Sequence, residues 1–136
     1  VVDAYGGVGL FAATVVPVSA QVTLVEGSPS ACADARVNLA GRSATVTESA
    51  VEQWAPTAAD VVIADPARSG LGAEAAAVLA RCAAPVLVLV SCDPVSMARD
   101  ATLLAGLGYR HAGTTVLDLF PHTHHVETVT RFELFP

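Results

Sequence analysis

Apolar residues fall along this chain in two alternating textures. Short runs rich in Val, Ile and Thr are followed by longer stretches rich in Ala and Leu, the pattern of strands interleaved with helices. Val1 to Ala4 predicts a first strand, which opens into Gly6-Gly7-Val8-Gly9 and a helix-compatible run from Leu10 to Val15. Gln21 to Val25 predicts the second strand, ending at Glu26-Gly27. Ser28 and Pro29 start a helix through Asn38, because Ser caps well and Pro suits the first turn. Ala44 to Glu48 and Val61 to Ala64 predict the third and fourth strands, the latter left through Asp65-Pro66. Ala73 to Cys82 is nearly pure helix former. Pro85 to Val90 reads as a buried strand ending in Ser91-Cys92-Asp93-Pro94. Ser96 to Leu107 predicts a helix stopped by Gly108. The runs Tyr109 to Leu119 and Val126 to Phe135 have no helix between them, so they predict an antiparallel hairpin at one sheet edge.

This order predicts an α/β fold with a mostly parallel sheet and a C-terminal antiparallel hairpin. The 136 residues suit one domain, spanning 1–136, with a proper core. A hydrophobic share of 53% fits a parallel sheet covered by helices on both faces. No apolar run reaches the roughly 18 to 20 residues of a membrane span. Val1-Val2 lacks a basic flank and cleavage site, and reads as strand rather than signal peptide. The net charge of −6, with seven Lys and Arg, argues against a broad electrostatic grip on nucleic acid. Cys32, Cys82 and Cys92 are an odd count without metal-like pairing, which predicts free thiols in a reducing cytoplasm.

In an open parallel sheet the ligand lies beyond the carboxyl ends of the strands, and the unusual residues cluster there. Asp3-Ala4-Tyr5-Gly6-Gly7-Val8-Gly9 turns a strand into a helix, and its glycines let backbone amides approach a ligand. Glu26 ends the next strand some twenty residues on, where a carboxylate can accept both ribose hydroxyls. Asp65 ends the fourth strand. Glu48 or Ser49 is a candidate for lining an adenine pocket, with plain surface as the alternative. A pyrophosphate cofactor favours Gly-x-Gly-x-x-Gly, which is not the spacing here. A sulfonium carries no phosphate to cradle, so S-adenosylmethionine is expected rather than a nicotinamide dinucleotide.

Four motifs then occur in order: Asp3-x-Tyr5-x-Gly7-x-Gly9; Asp65-Pro66-Ala67-Arg68-Ser69-Gly70; Ser91-Cys92-Asp93-Pro94 with Ala98-Arg99-Asp100; and Phe120-Pro121-His122-Thr123-x-His125-Val126-Glu127. Together they resemble the RNA (uracil-5-)-methyltransferase family, which includes tRNA and 23S rRNA enzymes, over essentially the whole chain. The resemblance implies a Rossmann-like class I methyltransferase fold. It also implies Cys92 as nucleophile, Glu127 as the base that removes the carbon 5 proton, and Tyr5, Gly7, Leu10, Glu26 and Asp65 as cofactor contacts. Its RNA substrate, with rRNA slightly favoured over tRNA, would be held mainly by regions absent from this chain, a β-barrel and a linking region ahead of it.

Other residues allow competing readings. Cys32 and Cys82 fall in helical stretches and read as packing, whereas Cys92 breaks out of a strand beside a Pro. His122, His124 and His125 lack the Cys or acidic partners of a closed zinc site, so no metal is expected; His122 or His125 more naturally positions Glu127. Arg68 is a candidate substrate contact through an RNA phosphate or the uracil, or a partner of Asp93 or Asp100. Gly6 stands where the family commonly has Cys, Ala67 where many members have Pro, and Asp93 where Asn is usual beside the nucleophile. Two rivals remain: a methyltransferase of amino groups using Asp65-Pro66, and a non-catalytic cofactor- or RNA-binding domain.

Overall fold

The computed structural model describes residues 1–119, 121–123 and 126–135. Its sheet has seven strands: β1 (Val2–Ala4), β2 (Val22–Glu26), β3 (Ala44–Glu48), β4 (Val61–Ala64), β5 (Val86–Ser91), β6 (Tyr109–Leu117) and β7 (Glu127–Leu134), in the order β3-β2-β1-β4-β5-β7-β6. The first five strands pair in parallel. β7 runs antiparallel to both β5 and β6, which makes the expected hairpin. Four helices complete the domain: α1 (Leu10–Thr14), α2 (Pro29–Asn38), α3 (Gly72–Ala80) and α4 (Pro94–Gly106). None of the described helices is long and apolar enough to cross a membrane.

The chain winds outward from β1 to β3 and then crosses back to β4, so the strand order reverses between β1 and β4. Such a reversal leaves a crevice at the strand ends, because the two connections depart in opposite directions. Ala4 pairs with Val25 on one side and Ala64 on the other, which sets the residues after all three strands at one level. The side chains of Val2, Ala4, Val25, Val62 and Ala64 enter a large core under α3 and α4, which Phe132 and Tyr109 of the hairpin close. On the other face, Leu24 and Val22 pack beneath α1 and α2 with Ala12, Val16, Ala35 and Leu39. Beyond α1 that second face is open. Phe11, Val61, Ile63, Val88, Val90 and Val129 line an apolar groove of about 420 Å³ there, with Glu127 at its rim.

Several boundaries differ from expectation, each for a local reason. α4 starts at Pro94 rather than Ser96, because the Asp93 carboxylate accepts the Ser96 N–H at 2.7 Å and caps the helix ahead of Pro94. α3 begins at Gly72 and ends at Ala80, so buried Cys82 lies in the turn that follows, not in the helix. β6 ends at Leu117. A short 3-10 turn, Val51–Gln53, stands between β3 and β4 where no element was expected, and it buries Val51 and Trp54 against the α3 side. Cys32 is buried in α2, as a packing residue should be.

Tyr109 begins β6 fully enclosed, and its hydroxyl donates to the Ala84 carbonyl at 2.9 Å. Replacing Tyr109 by Phe keeps the ring and removes that bond, so it should cost about 1 kcal/mol. Urea denaturation should show a lower midpoint with an unchanged slope; an unmoved midpoint would show that the bond contributes nothing.

Candidate functional site

The site grows from the turn that leaves β1. Tyr5 and Gly7 both take positive φ, 58° and 54°, so the chain reverses within a few residues and exposes amides at the sheet's upper end. A side chain at Gly7 would meet no atom within 4 Å; backbone conformation rather than crowding asks for glycine there, and the space above it is open. The Glu26 carboxylate fastens this turn. Its Oε2 accepts the Gly7 N–H at 3.0 Å and its Oε1 the Ser28 N–H at 2.7 Å. One side chain therefore joins the glycine turn to the start of α2, and each of its oxygens retains a lone pair for a further donor. Leu10, at the head of α1, is largely exposed.

Asp3 sits beneath the turn with no exposure at all. Its Oδ2 accepts the Ala12 N–H at 3.0 Å, while Oδ1 has no partner among the described residues. Burial raises its carboxyl to about 6, the Ala12 bond opposes the rise, and the negative charge of Asp65 adds to it. Asp65 itself stands past β4, where its N–H donates to the Ala4 carbonyl at 3.3 Å. Its carboxyl is likewise pushed up by desolvation. Tyr5 donates its hydroxyl to Glu52 at 3.1 Å. Burial, then the Glu52 charge, raises that phenol well above its ordinary range.

The second half of the site lies where β5 meets β7. The ladder pairs Val90 with Val129 and Ser91 with Thr128, and the Thr128 hydroxyl donates to the Ser91 carbonyl at 3.0 Å. The β5–β7 pairing ends at that pair, and Cys92 and Glu127 are the residues next to it along the two chains. Cys92 is half-exposed, unlike the buried Cys32 and Cys82. Glu127 is half-buried; desolvation raises its carboxyl, and the charge of Asp65 raises it further. Asp65 thus acts on both Asp3 and Glu127, which ties the two halves into one site.

The remaining sequence candidates divide. Arg68 is exposed on the loop after β4, and Asp100 takes Arg99, not Arg68, as its ion-pair partner at 3.0 Å. Glu48 is an exposed strand end 4.0 Å from Arg36, which fits plain surface. His122 is exposed with a positive φ of 65°. Phe120, His124 and His125 lie outside the described residues. Among the described residues no group of three metal-ligating side chains converges. Asp93 is a helix cap, and Asp and Asn cap equally well, so the exchange at this position keeps the helix start. Sequence reading assigned no role to Asp3 or Glu52. The signal for Asp3 was present, since an acid inside an apolar strand implies a buried charge; nothing singled out Glu52.

Comparison with known proteins bears on these residues. The 23S rRNA (uracil(1939)-C(5))-methyltransferase RlmD of Shewanella piezotolerans is 34% identical over 98% of this chain. The protein of the same name from Chromohalobacter salexigens is 39% identical over 95%. The structure of the Pyrococcus abyssi tRNA (uracil-54, C5)-methyltransferase, in complex with S-adenosyl-L-homocysteine, superposes on 96% of the chain with a TM-score of 0.86 and 33% identity. Over nearly its whole length the chain is similar to RNA (uracil-5-)-methyltransferases. It spans about a third of the length of these RNA (uracil-5-)-methyltransferases, 32% and 28% of the two curated relatives and 33% of the solved one. No family model matches it. The N-methyltransferase NodS of Bradyrhizobium japonicum, 14% identical with a TM-score of 0.81, shares the fold alone.

The elevation of Asp3 has a consequence for stability. A carboxyl at about 6 in the folded chain and 3.8 unfolded binds its proton more tightly when folded. Its favourable contribution is therefore complete below pH 3.8 and lost as pH rises through 6. The loss amounts to about 3 kcal/mol. Denaturation of wild type and Asp3→Asn across this range should show the variant gaining relative stability as pH rises; a constant difference would mean that Asp3 does not titrate there.

Proposed function

We propose that this domain carries out the S-adenosylmethionine-dependent methylation of carbon 5 of a uridine in RNA, with rRNA favoured over tRNA as the substrate. The observation that best supports this reading is the β5–β7 register, whose last pair, Ser91 and Thr128, is followed by a half-exposed thiol on one chain and preceded by a half-buried carboxyl of raised pKa on the other. These lie beside an acidic crevice that suits a cation.

The crevice fits the cofactor by charge. Asp3, with one unpartnered buried oxygen, and Asp65 favour a group bearing positive charge and disfavour phosphate. Glu26 would hold ribose hydroxyls through its remaining lone pairs. Gly7 and Tyr5 would line the turn, and exposed Leu10 would give apolar contact. When bound, S-adenosylmethionine supplies a methyl group on a sulfonium, an electrophile that uracil carbon 5 is too weak to attack unaided.

The chain's own residues remove that weakness. The Cys92 thiolate adds to carbon 6, the 5,6 double bond opens, and its electrons become available at carbon 5 through the enolate. After carbon 5 has gained its methyl group, Glu127 takes the carbon 5 proton. The electrons of that C–H bond re-form the double bond and expel the cysteine sulfur. Covalent catalysis thus divides one difficult step. Desolvation and Asp65 make Glu127 a stronger base than an exposed carboxylate. The position of Cys92 just before the N-terminus of α4 places it in the positive field of that helix.

RNA binding belongs, in this reading, mainly to regions outside residues 1–136, since the domain's charge is −6. Three free cysteines suit a reducing, cytoplasmic setting.

Trapping on RNA containing 5-fluorouridine tests the reading with the full-length protein, because fluorine cannot leave as a proton. Wild type with cofactor should form a stable protein–RNA adduct, and Cys92→Ala should form none and lose turnover by about a thousandfold or more. An active Cys92→Ala protein would favour an amino-group methyltransferase; an inactive wild type would favour a binding domain. Glu127→Gln should slow turnover by about 10²- to 10⁴-fold while accumulating the methylated covalent adduct on ordinary uridine RNA. Loss of adduct and turnover together would remove Glu127 from the base role.

A further inference from the structure

The Ala98-Arg99-Asp100 motif has no part in the chemistry above. Asp100 is 1% exposed, unusual for a carboxylate. Its Oδ2 accepts the Leu71 N–H at 2.6 Å, and its Oδ1 the Gly72 N–H at 3.2 Å. Neighbouring Arg99 pairs with Asp100 at 3.0 Å and donates to the Ser69 carbonyl. One turn earlier, the Ser96 hydroxyl donates to the Arg68 carbonyl at 2.7 Å. Residues 96, 99 and 100 share one face of a helix, so a single face of α4 holds four consecutive-region backbone groups of the loop after β4. Gly70 lies directly against that face. With φ at +74°, a Cβ there would collide with Asp100 Oδ2 and lie 2.7 Å from the Arg99 guanidinium.

The same helix begins at Asp93, beside Cys92, and the same loop begins at Asp65. The β4–β5 ladder stops at the Ala64–Leu89 pair, three residues short of Cys92. The sheet anchors Asp65 through Ala4 and Ser91 through Thr128, but the stretch from Arg68 to Gly72 is held by the polar contacts of α4. Asp93 extends the linkage, because its Oδ1 accepts the Ser96 N–H at 2.7 Å and lies 2.8 Å from Ser96 Oγ, whose one proton serves either this carboxylate or the Arg68 carbonyl.

We propose that Asp100 is a positioning residue, supported by Arg99 and Ser96, which sets the loop carrying Asp65 and Arg68 at its working distance from Cys92. This rests on the functional reading above and deepens it. Asp100 touches neither substrate nor cofactor in this account. Its effect is to hold two groups in a reactive arrangement, where a displacement of about 1 Å can cost about a hundredfold in rate.

The test uses the full-length protein, with covalent trapping on 5-fluorouridine RNA as the rate readout and S-adenosylhomocysteine titration as the binding readout. Asp100→Asn keeps one acceptor oxygen and sets an NH2 donor against the other of the two N–H groups of Leu71 and Gly72. It should trap about a hundredfold more slowly, with affinity for S-adenosylhomocysteine nearly unchanged and the fraction folded measured alongside. Ser96→Ala removes one hydroxyl and leaves the Ser96 N–H on Asp93; it should show the same pattern at smaller amplitude, and it keeps the test decisive if Asp100→Asn fails to fold. Trapping rates per folded molecule equal to wild type in the folded variants would overturn the proposal and leave Asp100 a stabilising residue only. A wild-type protein that traps no adduct would bring down the functional reading and the positioning role together, whereas normal wild-type trapping with unaffected variants removes the positioning role alone.

Discussion

Desolvation is the main cause that raises the carboxyls of Asp3, Asp65 and Glu127 at the upper end of the sheet, and the charge of Asp65, itself an exposed residue, adds a lesser rise to Asp3 and to Glu127. No ion pair with a basic side chain engages them among the described residues. Like charges held together in a partly dry place are tolerated only where something else in the structure forces the arrangement. Here the force is the sheet, because Asp3 lies within β1, Asp65 follows β4 and Glu127 opens the antiparallel β7, so backbone pairing brings these acids to one end whether or not they repel. In the proposed reaction, the fit of the acidic crevice to a sulfonium and the basicity of Glu127 both draw on this desolvation, to which the charge of Asp65 adds.

Helix α4 supplies the counterweight. Its cap Asp93 follows the thiol, its first turn reaches the loop after β4, and its apolar side feeds Leu104 and Met97 into the main core. Packing in the interior is thereby transmitted to the stretch from Arg68 to Gly72, which no strand pairing reaches. An aspartate beside the proposed nucleophile looks unfavourable when only its charge is considered. Its carboxylate is directed at the Ser96 N–H and hydroxyl instead, where a helix start welcomes negative charge.

Much of the architecture was legible because strands and helices differ in period and because glycine, proline and serine punctuate them. The glycine turn, the capped start of α2 and the closing hairpin follow from such local rules. The segment containing Val51 and Trp54 did not yield, since a three-residue turn has no period to detect and its burial depends on α3, distant in sequence. The start of α4 was misplaced because Asp93-Pro94 reads equally as the end of a strand or the cap of a helix. In the site, Cys92 and Glu127 were visible through their motifs, but only strand register could bring them to adjoining ends. The choice of Arg99 over Arg68 as the partner of Asp100 depends on how one loop folds over one helix, which linear order does not encode.

Position 6 shows how a small departure spreads. A Cβ on Gly6 would stand 2.5 Å and 2.8 Å from carbons of the Leu24 side chain, so Leu24 occupies volume that a larger residue in the turn would claim. The identities of residues 6 and 24 are therefore a single decision shared between a ligand loop and the core beneath α1. A chimaera that imports a relative's first turn into this scaffold has to import its second-strand neighbour as well.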